Sequence, residues 1–151
     1  MGLKLPEPFI ERIKNELGGE AQKFLDKLMT DPPISIRRNP LRISTNELPI
    51  DTVIPWESDS FYLTERPSFT YDPSFHAGAY YVQEASSMIT GQLIDHIQDK
   101  QNLELVIDLC AAPGGKTTHA LSKLNKDVFV LANEVTSVRL GALRQNVIKW
   151  G

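Results

Sequence analysis

The sequence predicts an α/β fold in which parallel β-strands alternate with α-helices. Two observations lead to this expectation. An apolar, β-branched run over 103–107 ends in a Pro/Gly turn that opens into a helical pattern, and a second apolar run over 128–132 leads into another helical pattern. Strand, helix, strand and helix in this order form a right-handed parallel βαβ unit. The residues before this unit predict a smaller α/β region.

The amino-terminal third predicts two helices and a strand. Apolar residues recur at helical spacing over 9–17 and 21–29, and residues 34–37 alternate as a short strand does. Ser, Pro and Asp then cluster, which is typical of a domain boundary. We therefore expect residues 1–65 to form a small N-terminal α/β cap and residues 66–151 to begin a second domain.

Three further helices are predicted in that second region. An apolar stripe covers 85–97, and helical patterns follow over 117–124 and 136–150. The last helix should cover a parallel sheet with residues at i, i+3 and i+7. These residues are Leu140, Leu143 and Val147.

Composition narrows the class of protein. The chain has 151 residues, a formal net charge of −3, one cysteine and three histidines. No apolar run is long enough for a membrane span and no signal-peptide pattern begins the chain, so the expected location is the cytoplasm. One cysteine allows no internal disulfide, and the scattered histidines give no metal-ligand spacing.

The loop between the two predicted strands is the candidate cofactor site. Gly114 and Gly115 lack a Cβ, so the main chain there can approach a ligand closely. The unsatisfied N–H groups and the positive end of the dipole at the start of the next helix face the same place. We expect the preceding Asp108 either to brace this loop or to meet the cofactor indirectly.

Two kinds of nucleotide site compete for the loop. Gly115-Lys116-Thr117 supplies the second half of a phosphate-binding P-loop, but Cys110 stands where the first glycine is required. A Rossmann-type site instead needs an acid about 20 residues further on to hold ribose hydroxyls, and Glu134 meets that condition. The second interpretation is favoured, and a P-loop-like nucleotide-binding protein stays as the alternative.

The loop sequence also carries a resemblance to a known family. Residues 108–117, Asp-Leu-Cys-Ala-Ala-Pro-Gly-Gly-Lys-Thr, resemble the cofactor loop of the Sun/Fmu (RsmB/RsmF-like) family of RNA cytosine-5 methyltransferases. The block over 75–88, Phe-His-Ala-Gly-Ala-Tyr-Tyr-Val-Gln-Glu-Ala-Ser-Ser-Met, and the block from Ala132 to Gly151 are similar to the family's flanking blocks. The matching blocks cover roughly half of the chain, and so long a string is far more specific than a lone glycine motif.

The resemblance implies a function, a cofactor and a substrate. The implied enzyme transfers a methyl group from S-adenosyl-L-methionine to cytosine C5 of RNA, with ribosomal RNA as the expected substrate. Its fold would be the first part of a Rossmann-like methyltransferase domain. Gln83 and Ser86 would line the methionine end of the cofactor site. The expected cofactor-binding residues are Cys110, Ala111, Ala112, Pro113, Gly114, Gly115, Lys116 and Glu134.

The resemblance also implies that no catalytic residue is present. The family's nucleophile is a cysteine on a loop after a later strand, whereas Cys110 matches the cofactor-loop cysteine, a position that favours buried, inert packing. We expect an inactive, truncated amino-terminal part of a longer enzyme. The edge of the second strand should be left open, or be covered by a partner chain or by the amino-terminal region. A non-catalytic RNA-binding module with a degenerate cofactor fold is a further alternative.

The remaining arginines and the histidines are expected to have structural or surface roles. Arg139 is expected either to pair with Glu134 or to be exposed. The cluster of Arg37, Arg38 and Arg42 favours a solvated surface, and the negative net charge does not point to RNA binding. The histidines show no partners in the sequence, so a structural role is expected for each of them.

Overall fold

The computed structural model describes residues 4–44, 47–97, 99 and 102–151. These residues form two compact units, Met1–Pro33 and Ile34–Gly151. The first unit is a pair of helices, and the second contains two β-sheets with their helices.

The first unit confirms the two helices predicted near the amino terminus. Its elements are α1 (Glu7–Leu17), a 3₁₀ turn (Gly18–Glu20) and α2 (Ala21–Leu28). Gly18 ends α1 with a positive φ of 51°, a conformation that glycine adopts without steric cost. The buried contacts of this unit come from Ile13, Ala21 and Leu25.

The second unit begins with an antiparallel sheet in the order β2-β3-β1-β4. Its strands are β1 (Ile34–Arg38), β2 (Ile50–Ile54), β3 (Glu57–Leu63) and β4 (Tyr80–Val82). β1 confirms the strand predicted over 34–37, whereas the other three strands were not predicted. The sheet draws three strands from the region 1–65 and one from 66–151, and the division into those two regions stays a prediction.

Short helical segments connect this sheet to the rest of the unit. They are a 3₁₀ turn (Phe69–Tyr71), α3 (Pro73–His76), a 3₁₀ turn (Ala85–Met88) and α4 (Ile89–Asp95). The helix predicted over 85–97 therefore begins with a 3₁₀ turn. Its start is set by Glu84, whose carboxylate accepts the N–H groups of Ser86 and Ser87.

The predicted parallel βαβ unit is confirmed. Its elements are β5 (Leu105–Asp108), α5 (Gly115–Lys123), β6 (Phe129–Ala132) and α6 (Ser137–Trp150). β5 and β6 pair in parallel, with Leu105 opposite Phe129 and Asp108 opposite Ala132. The loop between β5 and α5 therefore lies at the carboxyl end of the strands, where sheets of this kind bind ligands.

The two faces of this small sheet differ. On one face Leu143 and Val147 of α6 pack with Ala132. Leu140, predicted for the same helix face, is 44% exposed, so that part of the prediction is wrong. Within the described residues β5 and β6 pair only with each other, and a two-stranded sheet cannot cover its own faces. The opposite face exposes Leu105, Ile107, Phe129 and Leu131.

No helix in the described part of the chain combines the length and the apolar character needed to cross a bilayer.

The end of α6 is docked against the start of β4. A Cβ on Gly78 would lie 2.1 Å from the carbonyl oxygen of Lys149, and Gly78 has a φ of +74°. The buried amide of Asn39 donates to the carbonyl oxygens of Gly78 and Trp150 at 2.9 and 2.8 Å. Both the space and the backbone conformation at residue 78 therefore require glycine.

Gly78→Ala should destabilise the chain by about 2 kcal/mol or more, because it adds a backbone clash to a strained conformation. Gly141→Ala is the matched control, since an added Cβ on this α6 residue meets nothing within 4 Å. The control should raise stability by about 0.5–1 kcal/mol. Urea unfolding measures both variants, and equal stability of the two would contradict the docking described here.

Candidate functional site

The loop between β5 and α5 is held by the strand that precedes it. Asp108 accepts the backbone N–H of Cys110 at 3.2 Å and the hydroxyl of Thr117 at 2.6 Å. The N–H of Ala111 donates to the carbonyl oxygen of Asn133 at 2.9 Å, which ties the loop to the end of β6. The prediction that Asp108 braces the loop is confirmed.

Glycine is needed where this loop turns into α5. Gly114 has a φ of 111° and precedes the first residue of the helix. A Cβ on Gly115 would come to 3.4 Å from the ring of Tyr81 and 3.6 Å from the amide carbon of Gln83. The positive φ therefore requires glycine at 114, and the start of α5 lies close to Tyr81 of β4 and to Gln83.

A cavity of about 250 Å³ lies beside the loop. One wall is the loop itself and the other is the segment that begins with β4. The predicted residues of the loop are thus brought together around one cavity, with the exception of Gly114. The lining residues are Tyr81, Val82, Gln83, Glu84, Ser87, Cys110, Ala111, Ala112, Pro113, Gly115 and Lys116.

Two residues expected at the methionine end behave differently. Gln83 lines the cavity, and its amide nitrogen donates to the hydroxyl of Ser87 at 3.1 Å. Ser86 is not among the lining residues, and its hydroxyl donates to Glu84 at 2.5 Å. The residue of this turn that faces the cavity is Ser87, since the 3₁₀ geometry turns its neighbour outward.

Glu134 lies at the carboxyl end of β6 and is joined to the same loop. Its Oε1 accepts the N–H of Thr136 at 2.8 Å, and its Oε2 is 3.4 Å from Nη1 of Arg139. Arg139 also donates to the carbonyl oxygen of Ala112. The expected pairing of Arg139 with Glu134 is confirmed. Glu134 does not line the 250 Å³ cavity.

The carboxylate of Glu134 is held ionised by its neighbours. The backbone N–H of Thr136 lowers its pKa, and Arg139 and the backbone N–H of Ala112 act in the same direction. The side chain is 3% exposed, and its Oε2 is ion-paired with Arg139 but has no hydrogen bond of good geometry within the described residues. Glu134 therefore ties the carboxyl end of β6 to the loop.

Arg37 is the largest departure from the sequence-based expectations. It was expected in a solvated surface cluster, and instead it is 2% exposed. Its Nε donates to Oε1 of Gln83 at 3.1 Å, and its Nη2 donates to Oγ1 of Thr118 at 2.7 Å and to the carbonyl oxygen of Gly115 at 3.2 Å. The surface interpretation is wrong for this residue because the first turn of α5 covers it.

Further partners complete the surroundings of Arg37. Its Nη1 donates to Ser122 at 3.3 Å, and the guanidinium lies 4.3 Å from the ring centre of Trp150. Burial lowers the pKa of Arg37 to about 9, with Glu57 opposing the shift. The group therefore keeps its charge at neutral pH. Arg38 and Arg42, by contrast, are exposed.

A second buried charge cluster lies beneath α4 and α5. Nε2 of His119 is 2.8 Å from Oε2 of Glu57, and Lys123 reaches the same oxygen at 3.1 Å and Asp95 at 2.5 Å. A Cβ on Gly91 would lie 2.3 Å from Oε2 of Glu57, so glycine lets α4 approach the pair. The structural role expected for His119 agrees with this position.

Cys110 is exposed, so the expectation of a buried thiol at a strand end is wrong. The reason is that the turn after β5 places it on the wall of the cavity. In the described part of the chain no group of three or more potential ligand residues could hold a metal ion.

Comparison with protein families gives two matches. The profile described as the N-terminal domain of 16S rRNA methyltransferase RsmF matches residues 5–85. The profile described as 16S rRNA methyltransferase RsmB/F matches residues 96–151. The two matches together cover nearly the whole chain.

Individual relatives agree with these matches. Ribosomal RNA small subunit methyltransferase F of Psychromonas ingrahamii is 30% identical over 161 residues, covering 98% of this chain and 34% of the relative. Ribosomal RNA small subunit methyltransferase B of Yersinia pseudotuberculosis is 34% identical over 150 residues, covering 94% of this chain and 34% of the relative. The chain thus spans about a third of the length of the curated relatives that it matches.

Solved structures share the fold. A methyltransferase homologue from Pyrococcus horikoshii is 30% identical with a TM-score of 0.79, covering 97% of this chain and 50% of that one. NSun6 from the same organism, solved with SFG, is 19% identical with a TM-score of 0.76. The match covers 97% of this chain and 63% of the NSun6 chain. The second likeness shows a common fold only.

The buried His119 should make stability depend on pH. Burial lowers its pKa from 6.5 to about 4, so the folded chain binds this proton less readily than the unfolded chain does. Stability from this residue is complete above about pH 6.5 and declines as the pH falls toward 4, by at most about 1.4 kcal/mol per pH unit.

Urea unfolding of the wild type and of His119→Gln at pH 7, 6 and 5 tests this expectation. The wild type should lose stability relative to the variant as the pH is lowered. A difference between the two that is constant over this range would contradict a neutral, buried His119.

Proposed function

We propose that this chain, which belongs to the RsmB/RsmF family of 16S rRNA methyltransferases, holds the S-adenosylmethionine site of an RNA cytosine-5 methyltransferase. The observation that carries the proposal is a glycine-containing loop at the carboxyl end of β5 that lines a cavity, together with the ionised carboxylate of Glu134 at the carboxyl end of β6. Ribosomal RNA as the substrate and the cytoplasm as the location follow from the family and are part of the proposal.

The residues present fit this cofactor in two ways. Residues 110–113, 115 and 116 line one side of a cavity, and a Cβ on Gly115 would be in van der Waals contact with Tyr81 on its other side. Glu134 offers an ionised acceptor at the carboxyl end of β6, which suits the hydroxyl pair of a ribose. S-adenosylmethionine supplies a methyl group on a positively charged sulfur, and the part of this chain is to bind and orient it.

The same residues disfavour a nucleoside triphosphate. Arg139, which donates to the carbonyl oxygen of Ala112 in the loop, is paired with Glu134, so it adds no net positive charge for phosphates. Cys110 also occupies the position of the first P-loop glycine. The phosphate-binding alternative therefore finds less support than the adenosine site.

We assign no covalent role to Cys110. Cys110 lines the cavity proposed for the cofactor, so the proposal places this residue beside the cofactor. Nucleophilic catalysis on cytosine requires a thiolate against C6 of the ring. The catalytic residues of the proposed reaction are therefore not assigned to residues 1–151.

RNA contact from this chain is proposed only for exposed groups. Burial removes Arg37 from any direct contact with phosphate, which leaves Arg38 and Arg42 as the exposed members of that arginine cluster. Association of chains through the open edge of β6 is likewise a proposal, based on its unpaired backbone groups.

Glu134→Ala should weaken binding of S-adenosylmethionine about tenfold or more, because the ribose hydroxyls lose a charged acceptor. Calorimetric titration of the 151-residue chain measures the affinity, with ATP as the competing nucleotide. Glu104→Ala, which removes an exposed carboxylate at the other end of β5, is the matched control and should bind as the wild type does.

Two outcomes would count against the cofactor site. One is equal affinity of the Glu134 variant and the wild type for S-adenosylmethionine. The other is tighter binding of ATP than of S-adenosylmethionine by the wild type.

RNA that contains 5-fluorocytidine tests the role of Cys110. A thiolate that adds to C6 of this base stays attached once C5 has accepted the methyl group, because release of the thiolate requires loss of a proton from C5 and the fluorine there cannot leave as a cation. The chain should form no covalent complex in the presence of cofactor on a denaturing gel, and Cys110→Ser should keep its cofactor affinity. A complex that appears with the wild type and is lost with Cys110→Ser would make Cys110 the nucleophile.

A further inference from the structure

We propose that Arg37 is a positioning residue of the cofactor cavity, which orients the amide of Gln83 so that its nitrogen meets the carboxylate of an amino-acid ligand. The ligand class is an adenosine that carries a zwitterionic amino-acid group. This inference rests on the proposed function and adds a residue that touches no part of the cofactor itself.

The orientation of Gln83 follows from hydrogen-bond chemistry. A guanidinium only donates, so the atom of Gln83 that faces Nε of Arg37 at 3.1 Å is the amide oxygen. The amide nitrogen is then turned to the other side, where it donates one hydrogen to the hydroxyl of Ser87. Its second hydrogen has no acceptor within the described part of the chain, although Gln83 is only 7% exposed and lines the cavity.

Arg37 cannot easily release this orientation. Thr118 and the carbonyl oxygen of Gly115 hold its Nη2, while Ser122 and the ring of Trp150 hold the rest of the guanidinium. A reversed Gln83 amide would set donor against donor in a buried place. Arg37 therefore links the position of α5 to the direction of one amide in the cavity.

The neighbouring groups suit a zwitterion. Lys116 lines the same cavity and adds a positive charge for a carboxylate. Glu84 lines it as well, and hydrogen bonds from Ser86 lower the pKa of Glu84, so this residue presents a negative charge for an ammonium group. Charges of opposite sign on the two walls of the cavity match the amino-acid end of the cofactor, whereas Glu134 is absent from this cavity.

Two ligands separate the amino-acid end from the adenosine end. S-adenosylhomocysteine and 5′-methylthioadenosine share the adenosine and the thioether sulfur, and only the first carries the amino-acid group. The ratio of their dissociation constants reports contacts to that group. If Arg37 had only a structural role, its substitution would lower the affinity for both ligands by the same factor and leave the ratio of the dissociation constants unchanged.

Gln83→Glu is the decisive variant, because it keeps an acceptor for Arg37 and replaces the amide nitrogen with a carboxylate oxygen. Its affinity for S-adenosylhomocysteine should fall about 10- to 100-fold, the range for a hydrogen bond to a charged group. Its affinity for 5′-methylthioadenosine should stay at the wild-type value. Arg37→Met should also weaken S-adenosylhomocysteine more than 5′-methylthioadenosine, since the amide of Gln83 is then free to turn.

Gln145→Glu is the matched control. It makes the same change of side chain at an exposed residue of α6 that does not line the cavity. This variant should keep the wild-type ratio of affinities.

A measurement on the wild type covers the case in which Arg37→Met does not fold. In ¹⁵N–¹H spectra one side-chain amide proton of Gln83 should shift on addition of S-adenosylhomocysteine and not on addition of 5′-methylthioadenosine. Wild-type ratios in both the Gln83 and Arg37 variants would overturn the positioning role, as would an unmoved Gln83 amide. Failure of the wild type to bind either ligand would instead overturn the proposed function.

Discussion

The buried guanidinium of Arg37 is the interaction on which the second unit depends. A charge with this little exposure is tolerated only when its donors are satisfied, and Arg37 achieves this with partners on α5, at the end of β4 and at the end of α6. These bonds join the antiparallel sheet to the parallel βαβ unit. The cofactor loop begins its helix at that same point, at Gly115.

Two other contacts hold the same arrangement. Glu57 of β3 meets His119 of α5 in a buried pair, and α4 approaches this pair because Gly91 has no side chain. Asn39 and Gly78 contact the last turn of α6: the amide of Asn39 donates to the carbonyl oxygen of Trp150, and Gly78 packs against the backbone of Lys149. The loop is therefore fixed from both sides before any ligand is present, which is the condition for a preorganised site.

Local signals explain what could be predicted from the sequence. The βαβ unit, the glycine turn and the position of Glu134 follow from periodicity and short spacing within one segment. The three missed strands and Arg37 depend on distant partners: Arg37 bonds residues 46 and 81 positions away. The first residues of β3 are polar, and Arg37 belongs to a cluster of arginines. The local sequence therefore does not indicate that either of them is buried.

The position of a bound ligand tests the central claim most directly. A crystal structure of the chain with S-adenosylhomocysteine should place the ribose hydroxyls within hydrogen-bond distance of Glu134. It should also place the amino-acid group against Gln83 and Lys116, with Arg37 still bonded to Gln83. A ligand bound away from the loop over 110–116, or bound there with Glu134 turned away from the ribose, would contradict the account.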